Sequence, residues 1–306
     1  MKKVLITPQG FSFIKNKIQD KFSKKHDYYF TNGIVEDKSE LKELFLSQNA
    51  VIIGSEKIDK EVIDSAPNLE LVVRFGTSTE NIDVDYLKQK GIKLYSIKSS
   101  DTVTSVAKLC TTFALNYIFN IQKHTSNSFD RQWKRYINLD PKNINIGLIG
   151  SGEIATNFYK YASPLGFNFF YHSRNENKYF KNEGVNYYSD IREIIDASEI
   201  ISIHVPYNEE TINLISKEEF LLFNNKLLIN TSRAGIVSKQ DLIKSLEELE
   251  NFYYFTDVLY TEPPKKEDLE IISNKNVFST AHIGGYSESA LIDVASKSLS
   301  IVKTEL

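Results

Sequence analysis

The residues with the most chemical content stand at the ends of apolar runs. Ile144, Ile146, Leu148 and Ile149 form a strand-type run that ends in Gly150-Ser151-Gly152-Glu153-Ile154-Ala155, and a helix-type pattern follows to about Ala162. Strand, Gly-x-Gly-x-x-Ala turn and helix together suit a dinucleotide phosphate. The first glycine permits the tight bend, the second lets backbone approach the pyrophosphate, and a small third residue lets the helix pack on its strand. Free N–H groups at the helix start, helped by its dipole, then face the phosphates. Glycine-rich turns also arise for structural reasons alone, so this reading needs support elsewhere in the chain.

Four later runs supply that support. A buried strand over Ile200–Ile203 ends in His204-Val205-Pro206-Tyr207-Asn208-Glu209-Glu210-Thr211. Leu227–Ile229 ends in Asn230-Thr231-Ser232-Arg233-Ala234-Gly235, and Tyr254–Thr256 ends in Asp257 with Glu262-Pro263 beyond. Val277–Ser279 ends in Thr280-Ala281-His282-Ile283-Gly284-Gly285. Each places polar groups at the carboxyl end of a strand, where open α/β sheets bind ligands. One such residue alone is ordinarily structural; four successive strands built alike argue against coincidence. The strand Asn168–Tyr171 ends in His172-Ser173-Arg174, without the carboxylate that holds a ribose diol in an NAD site. Ser173 can hydrogen-bond a 2′-phosphate, and Arg174 can pair with it and stack on adenine, so NADP(H) is expected ahead of NAD(H).

The elements that position these residues follow an α/β rhythm. Before the turn, strands are expected at Val4–Thr7, Tyr28–Phe30, Ala50–Gly54, Leu69–Val73 and Ile92–Tyr95. Helical spacing lies between them, at Phe13–Phe22, Leu41–Phe45, Val62–Ser65 and Val84–Lys90. Short helices between strands argue for parallel sheets covered on both faces. From Thr102 to about Gln122 one long helix is expected, too apolar around its circumference for a surface helix, and hence buried between domains or subunits. His124–Asn143 reads as a connection, alternation restarts at Ile144, and Ser289–Leu306 reads as a helix returning to the first domain. A hinge near 97–102 and a return near 283–288 would leave a cleft between two domains as the default ligand site.

Composition narrows the function classes. The 306 residues, 41% hydrophobic and 25% charged, are those of an ordinary soluble protein of about two domains. A formal charge of −3 gives no reason to expect nucleic acid or an anionic membrane as partner. Met1–Thr7 has too short an apolar run for a signal peptide, and no stretch approaches a membrane span, so a cytoplasmic protein is expected. Cys110 is the single cysteine, set among helix-core neighbours as a buried inert thiol. No metal site is expected.

Taken together, these motifs make the chain resemble the D-isomer-specific 2-hydroxyacid dehydrogenases over nearly its whole length. The resemblance rests on Gly150–Ala155, His204-Val205-Pro206, Asn230–Gly235, Asp257 with Glu262-Pro263, and His282–Gly285. It implies two Rossmann-like, doubly wound parallel-sheet domains with a cleft between them. Residues 1–98 plus 286–306 would form a flavodoxin-like substrate-binding domain, and 99–285 the dinucleotide-binding Rossmann domain. It further implies that Arg233 grips the substrate carboxylate, that His282 is the acid/base, and that Glu262 pairs with His282. Cofactor contacts would come from Gly150, Ser151, Gly152, Glu153, Ile154, Ser173, Arg174, His204, Val205, Pro206, Thr211, Thr231, Ser232, Gly284 and Gly285, with Asp257 on the nicotinamide carboxamide. These roles make physical sense: an imidazolium can protonate oxygen as hydride transfer builds charge there, and a paired carboxylate raises its pKa. Arginine meets an α-keto carboxylate with two parallel hydrogen bonds.

On the first domain, Arg74-Phe75-Gly76-Thr77-Ser78 resembles the family's substrate loop, with backbone N–H groups of Thr77 and Ser78 on the carboxylate. Ser78 stands where a second glycine is usual, Lys108 where Glu is usual, and Glu153 where Arg is common. Arg74 and Trp133-Lys134-Arg135 resemble positions where phosphoglycerate dehydrogenases place phosphate-seeing arginines, while Ile53-Gly54-Ser55 stands where a third is usual; no appended regulatory domain is expected. A phosphorylated acid and the pair glyoxylate and hydroxypyruvate stay equally open. The resemblance also implies a homodimer through the Thr102–Gln122 helix and the Trp133 segment. The alternative function is a non-enzymatic NAD(P)(H)-dependent binding or regulatory protein of the same fold. Such a protein could lose the Arg–Glu–His set, which is complete here.

Overall fold

The structure is a computed structural model that describes residues 1–31, 33–130 and 132–306. Its twelve named strands are β1 (Lys2–Ile6), β2 (His26–Phe30), β3 (Ala50–Ile53), β4 (Leu71–Arg74), β5 (Lys93–Ser96), β6 (Asn145–Ile149), β7 (Asn168–His172), β8 (Asn186–Tyr188), β9 (Ile200–Ile203), β10 (Leu227–Asn230), β11 (Tyr253–Thr256) and β12 (Val277–Ser279). The named strands all pair in parallel, so helices must cover both faces, and the central strands read as largely apolar runs. Residues Ala50–Ile53, Ile200–Ile203 and Leu227–Asn230 are buried throughout.

The chain divides into two compact units, Met1–Thr102 with Gly285–Leu306, and Val103–Gly284. The first holds a five-stranded sheet in the order β2-β1-β3-β4-β5, with a core that includes Phe11, Ile52 and Leu71. The helix Glu288–Glu305 packs on that core through Leu291, Val294, Ala295, Leu299 and Val302. Three helices here start on side-chain caps: Asp37, Asp59 and Asp83 each accept a backbone N–H of the first turn.

The second unit holds a seven-stranded sheet in the order β12-β11-β10-β9-β6-β7-β8. Strand order reverses between β6 and β9, the switch point at which such sheets bind nucleotides. Register aligns the strand ends. Ile149 pairs with His172 and Ile203, Asn230 with Ile203 and Thr256, and Thr256 with Ser279. One rim therefore carries, in spatial order, Ser173, Gly150, His204, Thr231, Asp257 and Thr280.

Three sequence expectations change. The Phe13–Phe22 helix is instead a short helix, Gln9–Ile14, followed by a 3₁₀ stretch, Lys15–Lys21, kinked at Ile18. The long helix runs Ser100–Phe119 and stops because Asn120 turns left-handed (φ 49°). A second helix, Ile121–Phe129, then occupies part of the expected connection. Within the first of these helices the buried face is Ala107, Cys110, Thr111, Phe113, Ala114 and Ile118, which packs into the second unit's own core.

Candidate active site

Arg233, Glu262 and His282 come from the loops after β10, β11 and β12. The β10 loop is pinned by the buried Asn230 side chain, which accepts from Ser232 N at 3.0 Å and donates to Arg233 O at 3.0 Å. Ser232 Oγ donates to Ile203 O at 2.9 Å, and Arg233 Nη1 donates to Ser232 O at 2.7 Å. Glu262 accepts Leu259 N on Oε1 at 3.0 Å, and its Oε2 lies 2.6 Å from Nδ1 of His282. The imidazole remains 48% exposed and the Glu262 side chain 30%, so both can meet a ligand.

His282 sits at φ 52°, a left-handed conformation that costs a non-glycine residue roughly 1–2 kcal/mol. Asp257, only 2% exposed, holds that loop in place. Its carboxylate accepts Thr280 Oγ1 at 2.6 Å and the amides of Ile283 and Gly284 at 2.7 Å each. Burial drives the Asp257 pKa upward against these three bonds. For His282, burial opposes the imidazolium, but the bond and charge of Glu262, with the charge of Asp257, outweigh it and Arg233's repulsion; the pKa rises. Glu262 falls below its ordinary value: burial raises it, but His282, the Leu259 amide and the Arg233 charge prevail.

A nicotinamide cofactor fits the Gly150 turn. Gly150 has φ +104°, and a Cβ there would lie 2.7 Å from His204 O, so the fold itself requires glycine. Gly152 is different: nothing lies within 4 Å of its would-be Cβ, and its φ of −75° suits any residue. The bare fold does not need that glycine, whereas a pyrophosphate arriving at the helix Glu153–Ala162 does. Ala155 is fully buried, as close helix–strand packing demands. Asn177 Nδ2 braces the turn by donating to Ser151 O at 2.7 Å. Ile154 is half-buried, and Glu153 opens the helix, where a negative side chain suits the dipole.

Other expected residues fall into place unevenly. The ring nitrogens of His204 are buried without hydrogen-bond partners, the ring lies 6.0 Å from Phe158, and burial pushes its pKa down to about 3. His204 thus presents no charged ring to the turn. Val205 is half-buried, Pro206 exposed, and Thr211 Oγ1 donates to Pro206 O at 2.6 Å. Thr231 Oγ1 lies 3.3 Å from Cys110 Sγ, whose burial pushes the thiol up to about 12. Ser173 Oγ donates to Asn175 O at 2.6 Å, and Arg174 pairs with Glu210 at 3.0 Å. Gly284 is buried beside Asp257, while Gly285 belongs to the first unit. Lys108 is exposed with Nζ 5.5 Å from the Tyr161 ring centre.

In the first unit, Arg74 ends β4 with Nη1 donating to Phe75 O at 2.8 Å. Gly76 (φ +140°) bends the loop, Thr77 is exposed and Ser78 half-buried. Arg135 is exposed on the irregular segment before β6. The sequence places Thr280, Asn230 and Glu210 in strand-end motifs without a role for them, and Asp268 is not among the expected residues. Asp268 is fully buried, binds Lys239 at 3.2 Å and Thr261 Oγ1, and so anchors the residue next to Glu262. The Asp268–Lys239, Thr280–Asp257 and Glu210–Arg174 pairings are long-range, and no spacing rule announces them.

A parallel sheet with a nucleotide turn at its switch point, and a histidine–carboxylate pair beside an arginine on the same rim, define an NAD-binding oxidoreductase. Residues 111–284, more than half of the chain, match the D-isomer specific 2-hydroxyacid dehydrogenase, NAD binding domain family, and the chain belongs to it. Its chemistry is therefore oxidation and reduction at the CH–OH carbon of a 2-hydroxy acid, and the purely binding alternative is not the reading its relatives support. The chain is 29% identical over 258 residues to a D-3-phosphoglycerate dehydrogenase of Methanocaldococcus jannaschii, covering 83% of this chain but 49% of that one; it thus spans about half of that relative's length. It is 29% identical over 252 residues to a glyoxylate reductase of Thermococcus litoralis, covering 78% and 75% of the two chains. The fold is that of a phosphoglycerate oxidoreductase from Vibrio cholerae, with a TM-score of 0.91 over 99% and 98% of the chains at 19% identity. No helix among the described residues is long and apolar enough to cross a membrane.

Proposed function

We propose that this chain interconverts a 2-keto acid and a D-2-hydroxy acid, with Arg233, Glu262 and His282 as the catalytic residues. The observation that carries this is the 2.6 Å contact between Nδ1 of His282 and Glu262, under the influence of the Arg233 charge. The Gly150 turn would hold the pyrophosphate of a nicotinamide cofactor, whose reduced form would supply the hydride. Arg233 holds the carboxylate through two parallel bonds and orients the carbonyl. His282, protonated and fixed through Nδ1, keeps Nε2 for the developing alkoxide and gives it a proton. Glu262 stabilises the imidazolium before that transfer. In the oxidative direction His282 takes the hydroxyl proton instead.

Arg74, Gly76, Thr77, Ser78 and Arg135 are proposed as substrate residues. A small acid of the glyoxylate or hydroxypyruvate kind is the favoured substrate, because Glu56 puts a buried carboxyl group at Gly54, on the first unit's sheet end. A carboxylate there disfavours a phosphate. The phosphorylated reading rests on Arg74 and Arg135. A panel of glyoxylate, hydroxypyruvate, pyruvate and 3-phosphohydroxypyruvate, each with NADH and NADPH and followed by nicotinamide absorbance, decides it. Silence across the panel sinks the catalytic reading, and turnover of the phosphorylated acid alone sinks the substrate preference.

The strand end at Ser173 and Arg174 leaves both NAD(H) and NADP(H) open as cofactor. A homodimer is proposed from the exposed apolar residues Phe129 (84%), Trp133 (78%) and Ile137 (92%), a concentration unusual for a monomer's surface. Elution at the mass of one chain in gel filtration refutes it. The single buried cysteine suits a cytoplasmic location, and the small net charge gives nucleic acid no purchase.

A further inference from the structure

The end of β7 is where, in this class of sheet, a nucleotide's adenosine ribose meets the protein. Three side chains stand there, and each is already committed. Nδ1 of His172 lies 3.0 Å from Tyr188 O, which ties the ring to β8. Ser173 donates its only hydroxyl proton to Asn175 O at 2.6 Å, leaving lone pairs for a ligand. Arg174 Nη1 pairs with Glu210 Oε2 at 3.0 Å, with the two side chains 82% and 69% exposed. Both groups expected to hold a 2′-phosphate therefore already have partners, and the positive charge of Arg174 is matched by a carboxylate.

Glu210 arrives from the loop after β9, across the switch point. Its backbone is held: Glu210 N donates to Asn208 Oδ1 at 2.9 Å, and Asn208 N donates to Thr211 Oγ1 at 2.9 Å. We infer that Glu210 is the residue that discriminates between a 2′-hydroxyl and a 2′-phosphate, and that it turns the site toward NAD(H). It does from the β9 loop what an acidic residue at the end of β7 does in an ordinary NAD site. A 2′-phosphate carries nearly two negative charges, needs the Arg174 guanidinium that Glu210 neutralises, and approaches the Glu210 carboxylate itself. A 2′-hydroxyl is a donor, which Ser173 Oγ or Glu210 can accept. Groups this exposed act through water, so the discrimination is about tenfold rather than absolute. This rests on the cofactor reading proposed above and reverses the preference that Ser173 and Arg174 suggest as a bare sequence.

The test is calorimetric binding of ADP-ribose and 2′-phospho-ADP-ribose to the full chain, to Glu210→Gln, and to Glu210→Gln with Arg174→Ala. The wild-type chain is expected to bind ADP-ribose more tightly. Glu210→Gln is expected to shift the affinity ratio about tenfold toward the phosphorylated ligand, and adding Arg174→Ala to cancel that gain. The kcat/KM ratio for NADPH over NADH should move in step, and unchanged melting of the variants excludes a folding artefact. A ratio that moves less than twofold, or a wild-type preference for the phosphorylated ligand, overturns the inference while the nucleotide site stands. Failure of the wild-type chain to bind either ligand overturns the nucleotide site itself, and this inference with it.

Discussion

Nδ1 of His282 and Oε2 of Glu262 stand 2.6 Å apart although twenty residues separate them in sequence, and the His282 backbone is left-handed at φ 52°. The strained loop is tolerated because Asp257 bonds two of its amides and Thr280. The pair is thus fixed from both sides: Glu262 on the ring, Asp257 on the backbone.

The pH dependence follows from that pair. Burial disfavours the imidazolium, but Glu262 and Asp257 together raise the His282 pKa above 6.5. Keto-acid reduction uses the protonated ring, so kcat/KM should be flat at low pH and fall only above pH 6.5. In Glu262→Gln the raising charge is gone while burial and Arg233 still act, so the fall should move to lower pH. A profile that does not move removes Glu262 from the role.

Removing the reacting groups should abolish turnover without unfolding the chain. His282→Ala is expected to lower kcat by about 10²–10⁴-fold, the usual share of a positioned acid/base. Arg233→Ala should weaken KM for the keto acid as well as kcat, because the same group binds and orients. Near-normal steady-state rates in either variant contradict the assignment. Circular dichroism should show both variants folded.

The two glycines of the turn should separate stability from binding. Gly150→Ala puts a Cβ 2.7 Å from His204 O at φ +104° and should cost about 1–3 kcal/mol in denaturant melts. Gly152→Ala meets no protein atom within 4 Å and should leave the melt within about 0.5 kcal/mol. Its NADH affinity, read by fluorescence titration, should fall sharply. Equal stability losses in the two variants argue against the pyrophosphate reading.

Asp268 offers an acid-side test. Its carboxyl is held below 3.8: burial opposes this, but Thr261, Lys239 and the Lys265 amide prevail. A depressed folded pKa gives stability that is complete above pH 3.8 and lost as pH falls through the lower folded value. Asp268→Ala should destabilise by about 2 kcal/mol at neutral pH and flatten that acid loss. Because Thr261 adjoins Glu262, kcat should fall too. A melt identical to wild type at pH 7 rejects the clamp.

Much of this protein is legible in its sequence, because the relevant signals are local. Period-two and continuous apolar runs mark the strands from Val4 to Ser279, and Gly150-x-Gly152 with Ala155 spells out the turn within six residues. The polar residues at successive strand ends fall on one rim because parallel register aligns those ends. Where local signals compete, the reading slips. An apolar pattern runs through Asn120, yet that residue turns left-handed and splits the helix.

Tertiary structure alone decided the partners. Arg174 and Glu210, 36 residues apart, meet only because β7 and β9 flank β6. That meeting changes a positive strand end into a neutralised one. Asp257 reads as a ligand contact in sequence; that its carboxylate also accepts from Thr280, Ile283 and Gly284 follows only once β11 and β12 lie side by side. Residue types and spacing determine which chemistry is possible; which groups remain free to perform it depends on bonds between segments distant in the chain.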